Sequence, residues 1–354
     1  FVRGDVNADR KVDLADPVYL LSGLFREGAA IPCMKAADAN DDGEVNLPDA
    51  AAMLGYFFSG GTPPPSPFPQ GGEDPTPDTL DCTHFAPGGE FTVSDLDLEF
   101  VYVKPGTFMM GLDDPGDDDD QQPVHEVTLT QGFYVGKYEV TNGQVVAYLR
   151  DTGDESEIGL DDEECPIRRA GDDYELSGNK LGQSVDQPMV MISWYGAVTF
   201  CEWFTGKERA AGRLPGNWEY RLPTEAEWEF AARGGNQSRG YTYSGSDNPD
   251  DVAWHDGNSD GHTHEGGGKK LNELGIYDMS GNVWEWCADW YDADYYEISP
   301  PVDPAGPETG TSRVHRGGSW INVSRYCRCV FRSSVGPWAT GILAGFRVVL
   351  APAQ

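Results

Sequence analysis

The chain is poor in positive charge, in long apolar runs and in the motifs that mark the commoner enzyme sites. Lys and Arg number 25 against 59 Asp and Glu, a net charge of -34 over 354 residues. Such a surface repels nucleic acid and anionic membranes and attracts divalent cations, which excludes nucleic-acid binding. No apolar run approaches the ~20 residues of a transmembrane helix, so no membrane span is expected. Gly-x-Ser-x-Gly elbows, phosphate loops and paired-Cys zinc spacings are missing too. The chain opens on Phe1 rather than Met. A removed signal peptide is the expectation drawn from this, although an arbitrary boundary would look the same.

What is present begins with a repeat. Asp5-Val-Asn7-Ala-Asp9-Arg10-Lys11-Val-Asp13-Leu-Ala-Asp16 returns as Asp38-Ala-Asn40-Asp-Asp42-Gly43-Glu44-Val-Asn46-Leu-Pro-Asp49. Side-chain oxygens fall at loop positions 1, 3, 5, 9 and 12, and Lys11 or Glu44 at position 7 offers a backbone carbonyl. That is the oxygen-rich set a Ca2+ ion requires. Leu14, Val18, Leu21 and Phe25 recur as Leu47, Ala51, Leu54 and Phe58, a helical spacing after each loop. The duplicated loop-and-helix unit resembles the dockerin module of secreted bacterial proteins, although position 12 is Asp where an ordinary EF-hand has Glu. Arg10 holds position 6, where Gly43 stands in the second copy, and a positive φ costs a non-Gly residue about 1 kcal/mol. The first loop is therefore expected to bind calcium more weakly. Dockerin helices dock on a partner protein; packing against the same chain is the equal alternative.

Three segments follow from composition: the repeat pair at 1–61, a Pro/Gly-rich linker at 62–97, and a large domain at 98–354. The linker holds Pro63, Pro64, Pro65, Pro67 and Pro69, which favour polyproline II. Seven cysteines suit an oxidising, extracellular or cell-surface setting, and a Cys33–Cys82 bridge would close the small module. The odd count leaves at least one thiol over. Cys327 and Cys329 read as part of a strand, where their side chains point to opposite faces. In the large domain Leu98–Val103 alternates like a strand, and helices are expected from Trp194 to Lys207, capped by Ser193, and from Thr224, whose capping box uses Glu227. Asp113 to Asp120 reads as a solvated acidic loop. From Gly234 to Gly268 a long irregular loop is pinned by isolated aromatics, and its His255, His262, His264, Asp256, Asp260 and Glu265 read as solvated rather than metal-binding.

Eight phrases in order then converge: Phe108-Met-Met110-Gly111, Pro123-Val-His125, Glu139-Val-Thr141-Asn142, Pro188-Met-Val190 with Ser193-Trp194, Arg221-Leu-Pro-Thr-Glu225, Gly275 through Trp286, Arg316-Gly-Gly-Ser319-Trp320 and Gly345-Phe346-Arg347. This ordered set is similar to the formylglycine-generating enzyme, or sulfatase-modifying factor, family over about residues 98–350. The resemblance implies an α+β domain with a C-type-lectin-like fold and little regular structure, beside a small all-α module carrying EF-hand-type loops. It also implies calcium held by the side chains of Asp278 and Glu285 and the carbonyls of Gly281 and Val283. An Arg partner for Glu285 is the alternative, since buried charges among Trp and Gly must be paired.

The catalytic pattern of that family is incomplete here. The generating enzyme places two cysteines five positions apart after Arg-Gly-Gly-Ser, and soft thiolates of that kind hold Cu(I). The matching positions are Asn322 and Cys327, which leaves Cys327 as the only catalytic candidate. The expectation is a secreted, calcium-loaded, non-catalytic protein that binds a protein partner or assembles head-to-tail with its own copies into filaments. A divergent metal- or thiol-dependent oxidoreductase and a carbohydrate-binding protein are the alternatives.

Overall fold

The computed structural model describes residues 3–4, 6, 12, 14–25, 34–65, 68, 90–93, 95–113, 119–211, 213–214 and 218–353. Asp5, Asn7, Asp9, Lys11, Asp13, Cys33 and Cys82 lie outside them. The chain divides into two compact units, residues 1–89 with 208–216 and residues 90–207 with 217–354.

In the small unit the helices Ala15–Phe25 and Leu47–Ser59 follow the two acidic loops, as their periodicity predicts. Leu20, Ala37, Ala50 and Met53 form their shared core, with Leu21, Leu24 and Phe57 packed against it. The repeated apolar positions behave differently. Leu14, Val18, Leu47 and Phe58 are exposed, Val18 and Phe58 by 61% and 70%. The apolar stripe legible in the sequence is therefore split: these four side chains face out, while Leu21 packs on the core.

The large unit rests on a five-stranded sheet ordered Glu90–Val93, Leu98–Val103, Phe133–Gly136, Val349–Pro352, Trp218–Arg221. Its first strand lies within the stretch read as linker and pairs antiparallel with Leu98–Val103, Phe91 opposite Phe100. A second sheet is ordered Arg332–Val335, Arg313–Arg316, Trp284–Trp290, Ala344–Gly345. The helix Glu225–Ala232 is wholly buried. Thr224 caps it, accepting from the Glu227 N–H, while Glu227 accepts from the Thr224 N–H. Trp228, Phe230 and Ala231 join Val103, Phe133, Met279 and Cys287 in the core. The predicted helix at Trp194 runs to Ala210, with the Ser193 hydroxyl accepting from the Gly196 N–H.

Two sequence expectations are corrected. Cys327 closes a 3-10 turn, Ser324–Cys327, and the following strand begins only at Arg332, so the two cysteines are not strand neighbours. The Gly234–Gly268 loop is not simply solvated: His255 is buried, and His264 stacks on Trp254 with ring centroids 3.7 Å apart. In the acidic loop, Asp120 accepts from the Tyr291 hydroxyl at 2.7 Å, while residues 114–118 lie outside the described set.

Gly281 sits at φ 82°, and a Cβ there would lie 2.3 Å from the Trp254 carbonyl oxygen. Gly281→Ala adds left-handed strain to overpacking and should cost roughly 2–4 kcal/mol. Denaturant unfolding of the variant against wild type measures this; a loss under 1 kcal/mol would contradict the close approach.

Candidate functional site

The large unit buries several charges, and each has a partner. Glu285 is inaccessible; its carboxylate accepts from Arg347 at 2.6 and 3.0 Å and from the Trp228 indole N–H at 2.8 Å. Arg347 also donates to the carbonyls of Gly136 and Tyr277. Nearby, Arg316 pairs with Glu229, and Arg332 grips Glu225 through both ends of its fork at 2.7 and 2.8 Å. An unpaired charge at such depth would cost several kcal/mol.

The four residues matched to a calcium site divide along this line. Asp278, at φ 59°, accepts from the Gly267 N–H with Oδ2 at 2.8 Å, while its Oδ1 is buried without a partner. Burial pushes its pKa to about 6, with the Glu285 charge adding to the rise. That bare oxygen suits a hard cation, and the carbonyls of Gly281 and Val283 lie in the same turn. The Glu285 oxygens are already committed to Arg347 and Trp228. Glu139 is a buried carboxylate beside this turn that the sequence reading did not single out, although it opens the Glu139-Val-Thr141-Asn142 phrase. It is buried and accepts from the Asn282 amide at 2.6 Å and the Val283 N–H at 3.1 Å. Burial first, then the Asp278 and Glu285 carboxylates, hold its pKa well above the usual range.

In the small unit the second loop turns its oxygens inward. Asp38 accepts from the N–H groups of Asp42 and Gly43 at 3.0 and 2.9 Å, and Asp49 from those of Asn40 and Asn46 at 3.1 and 2.8 Å. Gly43 takes the positive φ, 84°, that this turn needs. The Asn46 Oδ1 at loop position 9 is buried and unpartnered. Burial, then the Asp38 and Asp42 charges, raises Asp49 to about 6. Glu44 stays at the surface, with its side chain accepting from the Asn46 amide. Of the first loop's candidate calcium ligands only Asp16 is described; it is buried and accepts from the Val6 N–H at 2.8 Å. Among the described residues no three His, Cys, Asp or Glu side chains converge as a ligand set, because the loop carboxylates are held by backbone N–H groups.

Asn322 and Cys327 do not form a thiol pair. The Ser319 hydroxyl donates to the Asn322 side-chain oxygen at 2.6 Å. Cys327 is fully buried among Tyr243, Val252 and Ala253, and burial pushes its thiol up to about 12. Cys329 is also buried, donates weakly to the Ala232 carbonyl, and is likewise raised to about 12. Neither is a ready thiolate. The five described cysteines are all buried thiols without a disulfide. Asn322 itself lines an open cavity of about 530 Å3 together with Trp284, His315, Tyr326, Phe331 and Arg332. A second cavity, about 520 Å3, is walled by Asp95, Asp97, Glu99, Glu139, Asp186 and Glu265.

Two sheets tied by buried Arg–Glu pairs around a turn rich in left-handed residues define a mixed α/β domain of the sulfatase-modifying type with C-type-lectin-like relatives. The chain belongs to the sulfatase-modifying factor enzyme 1-like domain family, which matches residues 91–352. It is 33% identical over 297 residues to the formylglycine-generating enzyme of Thermomonospora curvata, covering 71% of this chain and 93% of that one. It is 36% identical over 259 residues to the serine/threonine-protein kinase Pkn1 of Chlamydia trachomatis, a match covering 70% of this chain but only 38% of the kinase. Among solved structures it resembles PvdO from Pseudomonas aeruginosa, with a TM-score of 0.60 and 29% identity over 76% of this chain and all of that one. Treponema denticola variable protein 1 aligns with a TM-score of 0.58 and 26% identity over 75% of this chain and 99% of that one. None of these matches bears on the small unit's likeness to a dockerin.

Asp289 gives the domain a built-in pH response. It is buried and accepts from the Glu225 N–H at 2.8 Å; burial, then the Glu225 charge, lifts its pKa to about 8. Its folded pKa exceeds its unfolded one, near 4. Its stabilising contribution is therefore complete below pH ~4 and is lost as pH rises through about 8. Asp289→Asn keeps the accepting oxygen and should flatten the fall in unfolding free energy between pH 5 and 9, by on the order of a few kcal/mol. Parallel profiles for variant and wild type would refute the assignment.

Proposed function

We propose that this protein is a non-catalytic member of its family, at least for cysteine oxidation, with the large domain serving in binding and the small unit in calcium-dependent docking. The observation that carries the first half is Asn322, hydrogen-bonded to Ser319 where the copper-holding relatives have a thiol. Two-coordinate Cu(I) needs two soft ligands, and the remaining thiol, Cys327, is buried and held protonated. Incubation with copper, reductant and a sulfatase-type cysteine peptide should yield no aldehyde by mass spectrometry. Turnover comparable to that of a two-cysteine relative would sink the reading. An oxidoreductase of altered chemistry is the second reading, favoured by the substrate-sized cavity kept beside Asn322.

Three features support the docking half. The second loop keeps an unpartnered Asn46 oxygen and an Asp49 whose charge is disfavoured until a cation arrives. Calcium there would draw on Asp38, Asn40, Asp42, Glu44 through its carbonyl, Asn46 and Asp49, and would relieve the mutual repulsion of three carboxylates. The repeated apolar positions Leu14, Val18, Leu47 and Phe58 face outward, where a protein partner, or another copy of the chain in a head-to-tail filament, would cover them. Asp278 with the Gly281 and Val283 carbonyls is a further calcium site under this reading. A secreted or cell-surface location follows from loops of this kind, which suit millimolar calcium. Hydrogen exchange of the whole chain with and without chelator tests the idea. Protection should collapse across residues 34–59 and persist in the large unit; equal protection in both conditions would overturn it.

A further inference from the structure

The cavity beside Asn322 has a donor–acceptor imbalance that identifies what it lacks. Two residues of its wall, Asp120 and His315, each carry a buried polar atom without a partner, Oδ1 and Nδ1. His315 is only 9% exposed and lies flat on Trp284, ring centroids 4.4 Å apart. Burial keeps it neutral, its pKa lowered to about 3. A carboxylate oxygen only accepts, so the partner that Asp120 Oδ1 lacks is a donor, while a neutral imidazole nitrogen takes either role.

Charge narrows the choice further. Arg332 lines the same wall but is committed to Glu225 and to the Asp120 and Asp292 carbonyls. Tyr291 satisfies the other Asp120 oxygen, Oδ2, at 2.7 Å. An anion would meet the bare carboxylate oxygen and the repulsion of a chain at -34. Tyr326 and Phe331 meet edge to face, centroids 4.7 Å apart, and aromatic faces attract cations, most strongly where water is excluded. We propose that this cavity binds an organic cation, a primary ammonium or guanidinium group, with Asp120 as its counter-ion and the aromatic rings as its walls. The proposal rests on the reading of this cleft as a binding site and names the class of ligand.

The test is calorimetric titration of the whole chain with n-butylammonium and with the amide of N-acetyl-lysine. Butanol and butyrate serve as neutral and anionic counterparts. Both cations should saturate one site per chain, and butanol and butyrate should not. Tighter binding of the lysine derivative would assign the cation to a polypeptide side chain, and equal binding to a free amine. Asp120→Asn should weaken binding by about tenfold or more, one ion pair's worth. Because Asp120 also anchors Tyr291, a second variant is needed: Ser333→Lys would place a rival ammonium in the cavity and should abolish binding while the fold persists. Butanol binding as well as butylammonium, a preference for butyrate, no saturable binding by either cation, or binding unchanged in both variants would overturn the proposal. Aldehyde formation on a cysteine peptide would instead fault the non-catalytic reading, and the cation titration is read independently of it.

Discussion

The large domain depends on one buried ion pair, Glu285 with Arg347. Glu285 belongs to the strand Trp284–Trp290 of the four-stranded sheet. Arg347 precedes the strand Val349–Pro352 of the five-stranded sheet and donates to Gly136 at the end of another strand there. The Trp228 indole brings the central helix to the same carboxylate. Two sheets, a helix and the Tyr277 turn thus meet at a single pair of charges. Hydrophobic packing would bring these elements together in many near-equivalent ways, whereas a planar guanidinium with four fixed acceptors accepts one. Removing either partner strands a charge in the interior, a loss of about 3–5 kcal/mol.

This same pair shows how the sequence reading of Glu285 as a calcium ligand met its alternative. Motif spacing places a carboxylate beside a turn of left-handed residues, and such a group can face a cation or an arginine. Nothing in the order of residues separates the two, because Arg347 lies 62 positions away. Asp278 is the opposite case: its second oxygen stays bare, the atom that the proposed calcium site would use.

Local signals were the most legible part of the chain. Thr224 with Glu227, Ser193 with its helix, and the strand Leu98–Val103 depend on neighbours within a few positions, and all appear as expected. What stayed hidden is set over long range. The strand Glu90–Val93 exists because Leu98–Val103 offers it an edge, not because its four residues are a strong pattern. The Cys327 region reads as extended by composition, but Gly318, at φ 75°, and the 3-10 turn fold it back against the Tyr243 cluster. In the small unit periodicity gave the helices correctly and left their buried face open. Leu20, Ala50 and Met53 lie in the core while four of the repeated apolar side chains, Leu14, Val18, Leu47 and Phe58, are exposed.

Position 322 is accommodated locally, its side-chain oxygen accepting from the Ser319 hydroxyl, and the domains similar to this one belong to proteins of different named activities. Asn322 and Cys327 stand outside the lattice of Glu285, Arg347, Arg316 and Glu229 that ties the sheets together. The Asn322 N–H donates to the Ser319 carbonyl at 3.0 Å, so its turn is closed by a backbone bond whichever residue supplies the side chain. Chemistry at such a position can change without disturbing the frame. The cavity beside it keeps its aromatic and charged walls, because Trp284, Arg332 and Phe331 are anchored from behind by the core. Two polar atoms of that wall, Asp120 Oδ1 and His315 Nδ1, are buried without partners, and on them the proposed recognition of an organic cation rests.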